Sequence, residues 1–209
     1  MPDMRIIPAI IFLCAILAQT AGAQTDACAG RTVPKLVDIY SKTGINFVHT
    51  SAPEKKYIVE SMSGGVLMID YDRDGWIDLY FTNAPTVEMA LKNERSKSLL
   101  YRNNGNGTFT DVTDKAGVGF PGFAMGGAVA DYNNDGFPDM YITCLGGNVL
   151  YTNNGDGTFT DVTKEARVAD GRWSAGAAFG VKSPGRTFAT KVTVVELIQA
   201  AGESSWPMI

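Results

Sequence analysis

The 209-residue sequence contains a single histidine, His49, and only three cysteines. No serine or cysteine can be paired with His49 from the sequence, so nucleophilic catalysis has little support. A lone histidine in an extended segment more often packs or makes a local hydrogen bond than acts as a general base. We therefore expect that the chain is not an enzyme and has no catalytic residue.

Basic residues are too few and too scattered to form a nucleic-acid surface. The chain has 18 lysines and arginines against 22 acidic residues, which gives a net charge of −4, and no dense basic patch. We expect no nucleic-acid partner. The 45% of apolar residues and the 23 glycines favour one folded, β-rich unit over a disordered chain.

No apolar run is long enough to be a comfortable membrane span. The run at residues 6–18 follows Arg5 and precedes Ala21-Gly22-Ala23, a small-x-small cleavage pattern. This predicts a signal peptide at residues 1–23, a mature start at Gln24 and a secreted, periplasmic or cell-surface location. No membrane span remains after cleavage. An uncleaved anchor is the alternative.

Two cysteines, Cys28 and Cys144, follow the predicted cleavage site. An oxidising compartment permits a disulfide between them. Two unpaired small apolar residues are the simpler interpretation, and the sequence does not decide between the two because it gives no Cα separation.

Acidic residues, in contrast, are concentrated in two short loops. The first loop carries Asp70, Asp72, Asp74 and Asp78 with Gly75, and the second carries Asp131, Asn133, Asp135 and Asp139 with Gly136. Such crowded carboxylates repel one another unless a cation lies among them. Oxygen ligands at alternate positions, with glycine at the sharp turn, are typical of a Ca²⁺ loop. Polar turns without metal are the alternative, which the recurrence of the pattern disfavours.

The loops do not fit an EF-hand. That motif requires a bidentate glutamate at position 12 and a helix on each side, whereas position 12 is Phe81 in one loop and Ile142 in the other, each in a strand-like run. A third cation at Asp156 is not expected, because Asn106 replaces it in the other copy and turn chemistry accounts for both residues.

The loops belong to an internal repeat. Residues 98–113 and 148–163 are identical at 12 of 16 positions, with an offset of 50. The first copy predicts strands at 65–69, 77–82, 99–102 and 108–112, followed by a helical turn at 111–115. Four short strands per repeat describe one blade of a β-propeller. An insertion at 85–97 is expected to be a solvated loop or a short helix.

The sequence therefore predicts an all-β fold of about two and a half four-stranded propeller blades, without a closed ring. Residues 24–63 form a lead-in segment with an outer strand at 36–39, and the repeat region covers residues 64–180. Its blades lie at 64–118 and 123–168, with a partial third at 173–180. Residues 181–209 match nothing in the repeat, which indicates a truncated or frame-altered gene or, alternatively, a variant terminus.

The segments DYDRDGWIDLYFTN, DYNNDGFPDMYITC and YRNNGNGTFTDVTDKAGV resemble the FG-GAP/VCBS repeat of integrin α-subunit propellers and secreted bacterial proteins. The resemblance covers about residues 33–180. The order of blocks is most similar to the N-terminal half of proteins related to cartilage acidic protein, without their C-terminal ASPIC/UnbV region. Intact propellers of the family have about seven blades.

This resemblance implies that loop positions 1, 3, 5 and 9 bind Ca²⁺ through side chains and position 7 through its carbonyl. The implied ligands are Asp70, Asp72, Asp74, Trp76 and Asp78 in the first loop, and Asp131, Asn133, Asp135, Phe137 and Asp139 in the second.

The function expected from these features is an exported, calcium-stabilised binding, adhesion or scaffold module with about two structural ions. Its ligand would be a protein or carbohydrate. One alternative is a non-functional or partner-dependent fragment that self-associates through open blade edges. Another is an extracellular enzyme that uses the propeller face. Aromatic residues that recur at equivalent repeat positions, such as Tyr101 and Tyr151, are expected to pack in the core.

Overall fold

The computed structural model of the protein describes residues 35–182 and 189–196, with side chains up to residue 180. The predicted signal peptide and Cys28 lie outside these residues. The chain divides after Asp38. The described residues before that point, 35–38, form no helix or strand, and the architecture below is that of the unit that follows.

Two four-stranded antiparallel sheets form the body of this unit. The first contains β1 (Val66–Ile69), β2 (Asp78–Phe81), β3 (Leu99–Asn103) and β4 (Phe109–Asp111); the second contains β5 (Phe123–Ala130), β6 (Asp139–Leu145), β7 (Val149–Asn153) and β8 (Phe159–Asp161). In each sheet the strands pair in chain order. The predicted all-β fold of propeller-type blades is thus confirmed.

Short helices connect the strands. They are α1 (Tyr40–Thr43), a 3₁₀ turn (Pro53–Lys55), α2 (Ile58–Ser61), α3 (Val87–Leu91), α4 (Thr113–Ala116) and α5 (Thr163–Ala166). The insertion thus contains the short helix α3, and the helical turn predicted in each repeat is confirmed by α4 and α5. No helix in the described part of the chain is long and apolar enough to cross a membrane.

The repeated Asp-Val-Thr segment has a structural role that accounts for its recurrence. Asp111 Oδ1 accepts hydrogen bonds from the Thr113 amide and hydroxyl at 2.9 and 2.6 Å. Thr113 Oγ1 in turn accepts the Leu100 amide of β3 at 2.9 Å. Thr163 makes the same bond to Leu150 at 2.8 Å. Each outer strand is thereby joined to its helical turn and to the strand beside it.

The strand predicted at residues 36–39 is wrong. Residues 35–39 have no strand, and Leu36 and Val37 are 92% and 70% exposed. A single outer strand has no sheet in which to pair its backbone groups or bury its apolar side chains. The helical turn that follows does form as α1, which ends at Gly44 with φ of 77°, as α4 ends at Gly117 with φ of 76°.

A third sheet extends beyond the predicted partial blade. Strand β9 (Ser174–Lys182) pairs antiparallel with β10 (Ala189–Glu196) and packs against β5 and β6. The sequence interpretation stopped this blade at residue 180, because no acidic loop follows. The β-branched run within residues 190–195 nevertheless favours a strand.

The main core lies between the first two blades and is continuous across them. Tyr80 and Tyr141 are buried, and their hydroxyls donate to the carbonyls of Val118 and Val168 at 2.9 and 3.0 Å. The fully buried core includes Leu100, Met140, Ile142 and Leu150. The inner strands of the two blades meet at Gly65, where a Cβ would lie 2.7 Å from Gly126 Cα.

A buried carboxylate fixes the lead-in segment to the insertion. Glu60 is 4% exposed; its Oε2 accepts the Ala52 amide and its Oε1 accepts the Val87 amide, both at 2.8 Å. Val87 is the first residue of α3, so the negative charge also lies at the end of the helix where unpaired amides favour it.

Candidate metal centres

The first acidic loop (loop 1, residues 70–78) connects β1 to β2 at the top of their hairpin. The β1–β2 ladder ends with the pair Ile69 and Asp78. Between them the chain turns sharply, and Arg73 and Gly75 both adopt positive φ values of 57° and 87°. The second loop (loop 2, residues 131–139) repeats this conformation with Asn134 at 61° and Gly136 at 92°.

The fold brings three of the predicted loop 1 ligands together. Asp70, Asp72 and Asp78 each place one carboxylate oxygen within 4.8 Å of the other two. Two oxygens that bind the same Ca²⁺ lie at most about 5 Å apart, twice the calcium–oxygen distance. The spacing therefore fits one shared divalent ion.

Two oxygens in loop 1 have no hydrogen-bond donor. Asp70 Oδ1 and Asp72 Oδ1 are buried, and neither has a partner among the described residues. A buried carboxylate oxygen without a hydrogen-bond donor lowers the stability of the fold, and other negative charges nearby lower it further. A bound cation would satisfy both atoms, so the donor set fits the Ca²⁺ that the sequence implies.

Asp78 is held differently from the other acids of its loop. It is fully buried, and its two oxygens accept the amides of Tyr71 at 3.1 Å and Asn103 at 2.7 Å. Burial raises the pKa of Asp78 to about 6, against the opposing effect of those two hydrogen bonds. Each oxygen retains one lone pair for a metal.

Asp139 repeats this arrangement in loop 2. It is fully buried, and it accepts the amides of Tyr132 at 3.0 Å and Asn153 at 2.8 Å. Burial raises its pKa to about 6 as well. The ninth loop position thus joins the acidic loop to the next strand pair in both blades.

The remaining side chains of loop 2 bond to their own loop. Asp131 accepts the amides of Asp135 and Gly136 at 3.1 and 2.8 Å, and Asn133 Nδ2 donates to Asp135 Oδ2 at 2.7 Å. In the part of the chain that the structure describes, the close grouping of three acids seen in loop 1 does not recur here. Loop 2 instead has three acids and one amide.

Asp74, the fourth acid of loop 1, is bound by Arg102. Arg102 Nη2 donates to Asp74 Oδ2 and Arg102 Nε donates to Asp72 Oδ2, each at 2.6 Å. The pKa of Arg102 is raised, first by its hydrogen bond to Asp72. The sequence interpretation did not include Arg102, because nothing local shows that β3 runs beside loop 1.

The position 7 residues, Trp76 and Phe137, were predicted to contribute carbonyls. Their side chains lie over the turns that join the outer strands: a Cβ at Gly105 would lie 2.9 Å from the Trp76 indole, and one at Gly155 would lie 2.8 Å from the Phe137 ring. These contacts, together with positive φ values of 72° and 75° at Gly105 and Gly155, explain why glycine follows the two asparagines in each copy. Trp76 remains 51% exposed, unlike the recurrent Tyr101, which is buried as expected.

The two loops are also linked to each other. Arg73 of loop 1 lies over the Phe137 ring of loop 2, with 5.4 Å from its guanidinium carbon to the ring centroid. Asn153 Nδ2 donates to the Tyr71 carbonyl of loop 1 at 2.8 Å. The sequence interpretation gives Asn103 and Asn153 no role in this site, although the same asparagine at this position of both copies is a usable signal.

His49, the only candidate for a general base, and Asp156, the candidate for a third cation site, both have hydrogen-bond partners. His49 Nε2 lies 2.6 Å from Ser63 Oγ, a pairing that the sequence did not reveal. Asp156 Oδ1 accepts the amide and hydroxyl of Thr158 at 3.0 and 2.6 Å, as a turn residue does.

Serial four-stranded antiparallel sheets with an acidic loop on the inner hairpin define a β-propeller-type repeat protein. The family model of the FG-GAP-like repeat matches residues 70–142, from the first acid of loop 1 into β6. Proteins with this repeat are typically binding modules rather than enzymes. A comparison with curated proteins gave no match.

Proposed function

We propose that the chain is an exported β-propeller-type module whose loops 1 and 2 each bind one structural Ca²⁺, and that it serves in binding, adhesion or as a scaffold. The observation that carries the proposal is the convergence of Asp70, Asp72 and Asp78 within 4.8 Å, with two buried oxygens that lack donors. Export is supported by the apolar run at residues 6–18 and the Ala21-Gly22-Ala23 pattern.

Calcium would stabilise the fold rather than react with a substrate. A site with a dissociation constant of about 0.1 mM, exposed to about 1 mM Ca²⁺, adds about 1.4 kcal/mol to the free energy of unfolding. The ion would relieve carboxylate repulsion within each loop. It would also strengthen the junction of the two blades, since Arg73 of loop 1 lies over Phe137 of loop 2 and Asn153 of β7 donates to the Tyr71 carbonyl of loop 1.

Isothermal titration calorimetry of the purified chain tests this proposal. We expect about two Ca²⁺ per chain and a higher melting temperature with Ca²⁺ than with EGTA. The double variant Asp72→Ala, Asp135→Ala should lose the binding heat. Asp156→Ala, which removes an acid outside the loops, should retain it. Unchanged heats in the double variant would remove the calcium assignment.

We further propose that the chain is related to the N-terminal half of cartilage-acidic-protein-type secreted proteins, with a protein or carbohydrate ligand. The order of the lead-in segment, two metal-loop blades and a third blade supports this relation. A second candidate function, self-association through an open blade face, is favoured by the exposure of Val66 and Met68 on β1.

A further inference from the structure

Loops 1 and 2 have the same backbone conformation but face different residues on the neighbouring strand. Arg102 of β3 lies against loop 1, and the equivalent position on β7 is Thr152. Thr152 Oγ1 bonds to the Tyr132 hydroxyl at 2.9 Å, and among the described residues it makes no hydrogen bond to an acid of loop 2. Loop 1 therefore has an arginine on the neighbouring strand that loop 2 does not have.

Arg102 binds two of the acids that the metal would need. Its two donors take one oxygen each from Asp72 and Asp74 at 2.6 Å, and the side chains of these acids are only 21% and 25% exposed. The guanidinium is planar and its donors are fixed in direction, so it holds the two carboxylates as a pair. The Asp74 equivalent in loop 2, Asp135, accepts instead from the neutral Asn133 amide.

Arg102 makes the surroundings of loop 1 less negative than those of loop 2. Loop 1 has four carboxylates and loop 2 has three, because Asp72 is replaced by Asn133. Loop 1 also contains Arg73, so the four acids less one arginine of residues 70–78 and the three acids of residues 131–139 give each loop a formal charge of −3, and Arg102 reduces that of loop 1 to −2. The additional acid and the arginine that binds it thus occur together in one copy and are both absent from the other.

We propose that Arg102 is a tethered cation that competes with the metal for Asp72 and Asp74, so that loop 1 is the weaker and more readily emptied calcium site. This inference rests on the proposed calcium function. In the metal-free chain Arg102 offsets the repulsion between these acids. Asp72 retains its unpartnered Oδ1 for the ion, but both oxygens of Asp74 are occupied, by the Trp76 amide and by Arg102. When Ca²⁺ binds, Asp74 must therefore share or release an oxygen, and the charge of Arg102 beside Asp72 further lowers the affinity of loop 1 relative to loop 2.

The substitution Arg102→Thr, which installs the residue found in the other copy, tests this competition. Calorimetry is done with Asp135→Ala also present, so that only loop 1 contributes binding heat. The single variant Asp72→Ala, in which only loop 2 binds, gives the affinity of loop 2. We expect Arg102→Thr to tighten Ca²⁺ binding at loop 1 about tenfold, the effect of releasing two partly exposed ion pairs. Arg102→Lys, which keeps the charge without the fork, should give a smaller gain.

A second measurement separates competition from a purely structural role. In EGTA, Arg102→Thr should melt at a lower temperature than its parent, because Asp72 and Asp74 lose their partner. In Ca²⁺ the difference should shrink or reverse. Lys115→Thr, which removes an exposed positive charge elsewhere, should change neither the affinity nor this difference.

The calorimetry distinguishes failure of the competition from failure of the calcium function. Binding at loop 1 that is unchanged or weaker in Arg102→Thr, while loop 2 still binds Ca²⁺, would overturn the competition and make Arg102 a support for the ligands. Ca²⁺ binding at loop 1 that is detected only in Arg102→Thr would support the competition most strongly. Loss of binding at both loops in every variant would instead refute the calcium function itself, and this inference with it.

Discussion

The ninth-position aspartates, Asp78 and Asp139, combine two tasks in one side chain. Each is a predicted metal ligand and each also accepts a backbone amide from a residue further along the chain, Asn103 or Asn153. The sequence predicts the first task, because the spacing of the acids is local. It does not predict the second, or the pairing of Arg102 with Asp72, because those partners lie 14 to 30 residues away. They meet only when β3 pairs with β2, or β7 with β6.

A prediction at the scale of one residue concerns Cys144. It is fully buried and unpaired, and burial raises the pKa of its thiol to about 12. Because this value exceeds that of an unfolded thiol, the folded chain binds more protons between about pH 9 and 12. The stability from this group is complete below that range and is lost as the pH rises through it.

Native Cys144 should therefore resist alkylation by iodoacetamide at pH 8 and react when the chain is unfolded in guanidinium. Mass spectrometry of the peptide that contains Cys144 measures the modified fraction over time. Labelling of the native protein at the rate of an unfolded control would show that the thiol is accessible.

At the scale of elements, the sequence predicts correctly the strands that pair within a complete repeat. It does not predict correctly the two segments outside a complete repeat, residues 36–39 and β10. The hairpins are fixed by alternating apolar residues and by the Asn-Asn-Gly turns, and the strands predicted for the first blade agree with the observed ones to within a residue or so at each end. The strand at residues 36–39 fails because its sequence resembles an outer strand but has no sheet to join. Strand β10 was missed because the acidic loop that marks the other inner hairpins is absent there.

A prediction for these elements compares two equivalent asparagines. Asn153 is 1% exposed and its Nδ2 donates across the blade junction to Tyr71 O, whereas Asn103 Nδ2 donates to Ile77 O within its own blade. Asn153→Ala leaves a buried carbonyl without a donor and should lower the free energy of unfolding by about 1–3 kcal/mol.

Asn103→Ala is the matched control, with an expected cost of about 1 kcal/mol or less, because its lost bond lies at an exposed turn. Urea unfolding in EGTA gives both values without a contribution from metal. Equal costs would mean that the bond between the blades adds nothing to stability.

At the scale of the whole molecule, the fold class could be predicted because one pattern is repeated, and each copy supports the interpretation of the other. What the described part of the chain adds is an open apolar face. Along β1, Leu67 and Ile69 are buried against the second blade, while Val66 and Met68 on the opposite face are 50% and 70% exposed. Exposed apolar groups next to a sheet edge favour association.

We expect the protein to self-associate through this face, and the double substitution Val66→Thr, Met68→Thr to weaken association about tenfold, or about 1.4 kcal/mol, through the loss of apolar area. Light scattering coupled to size-exclusion chromatography over a concentration series measures the effect. Leu91→Gln, on the exposed side of α3, removes a comparable apolar group elsewhere and should leave association unchanged. A protein that is monomeric at all concentrations would contradict the prediction.

The close approach at Gly65 has a consequence for how the repeats can diverge. The two nearest atoms that a side chain at Gly65 would meet, Gly126 Cα and Met125 O, both belong to the main chain. No rotamer change can make room for it, so the junction of the first and second blades tolerates no substitution at Gly65. The corresponding methyl group at Gly126 would lie 3.6 Å from the Ala175 carbonyl, an ordinary packing distance. Alanine is therefore accommodated at Gly126 and excluded at Gly65, although the two glycines occupy the same place in their repeats.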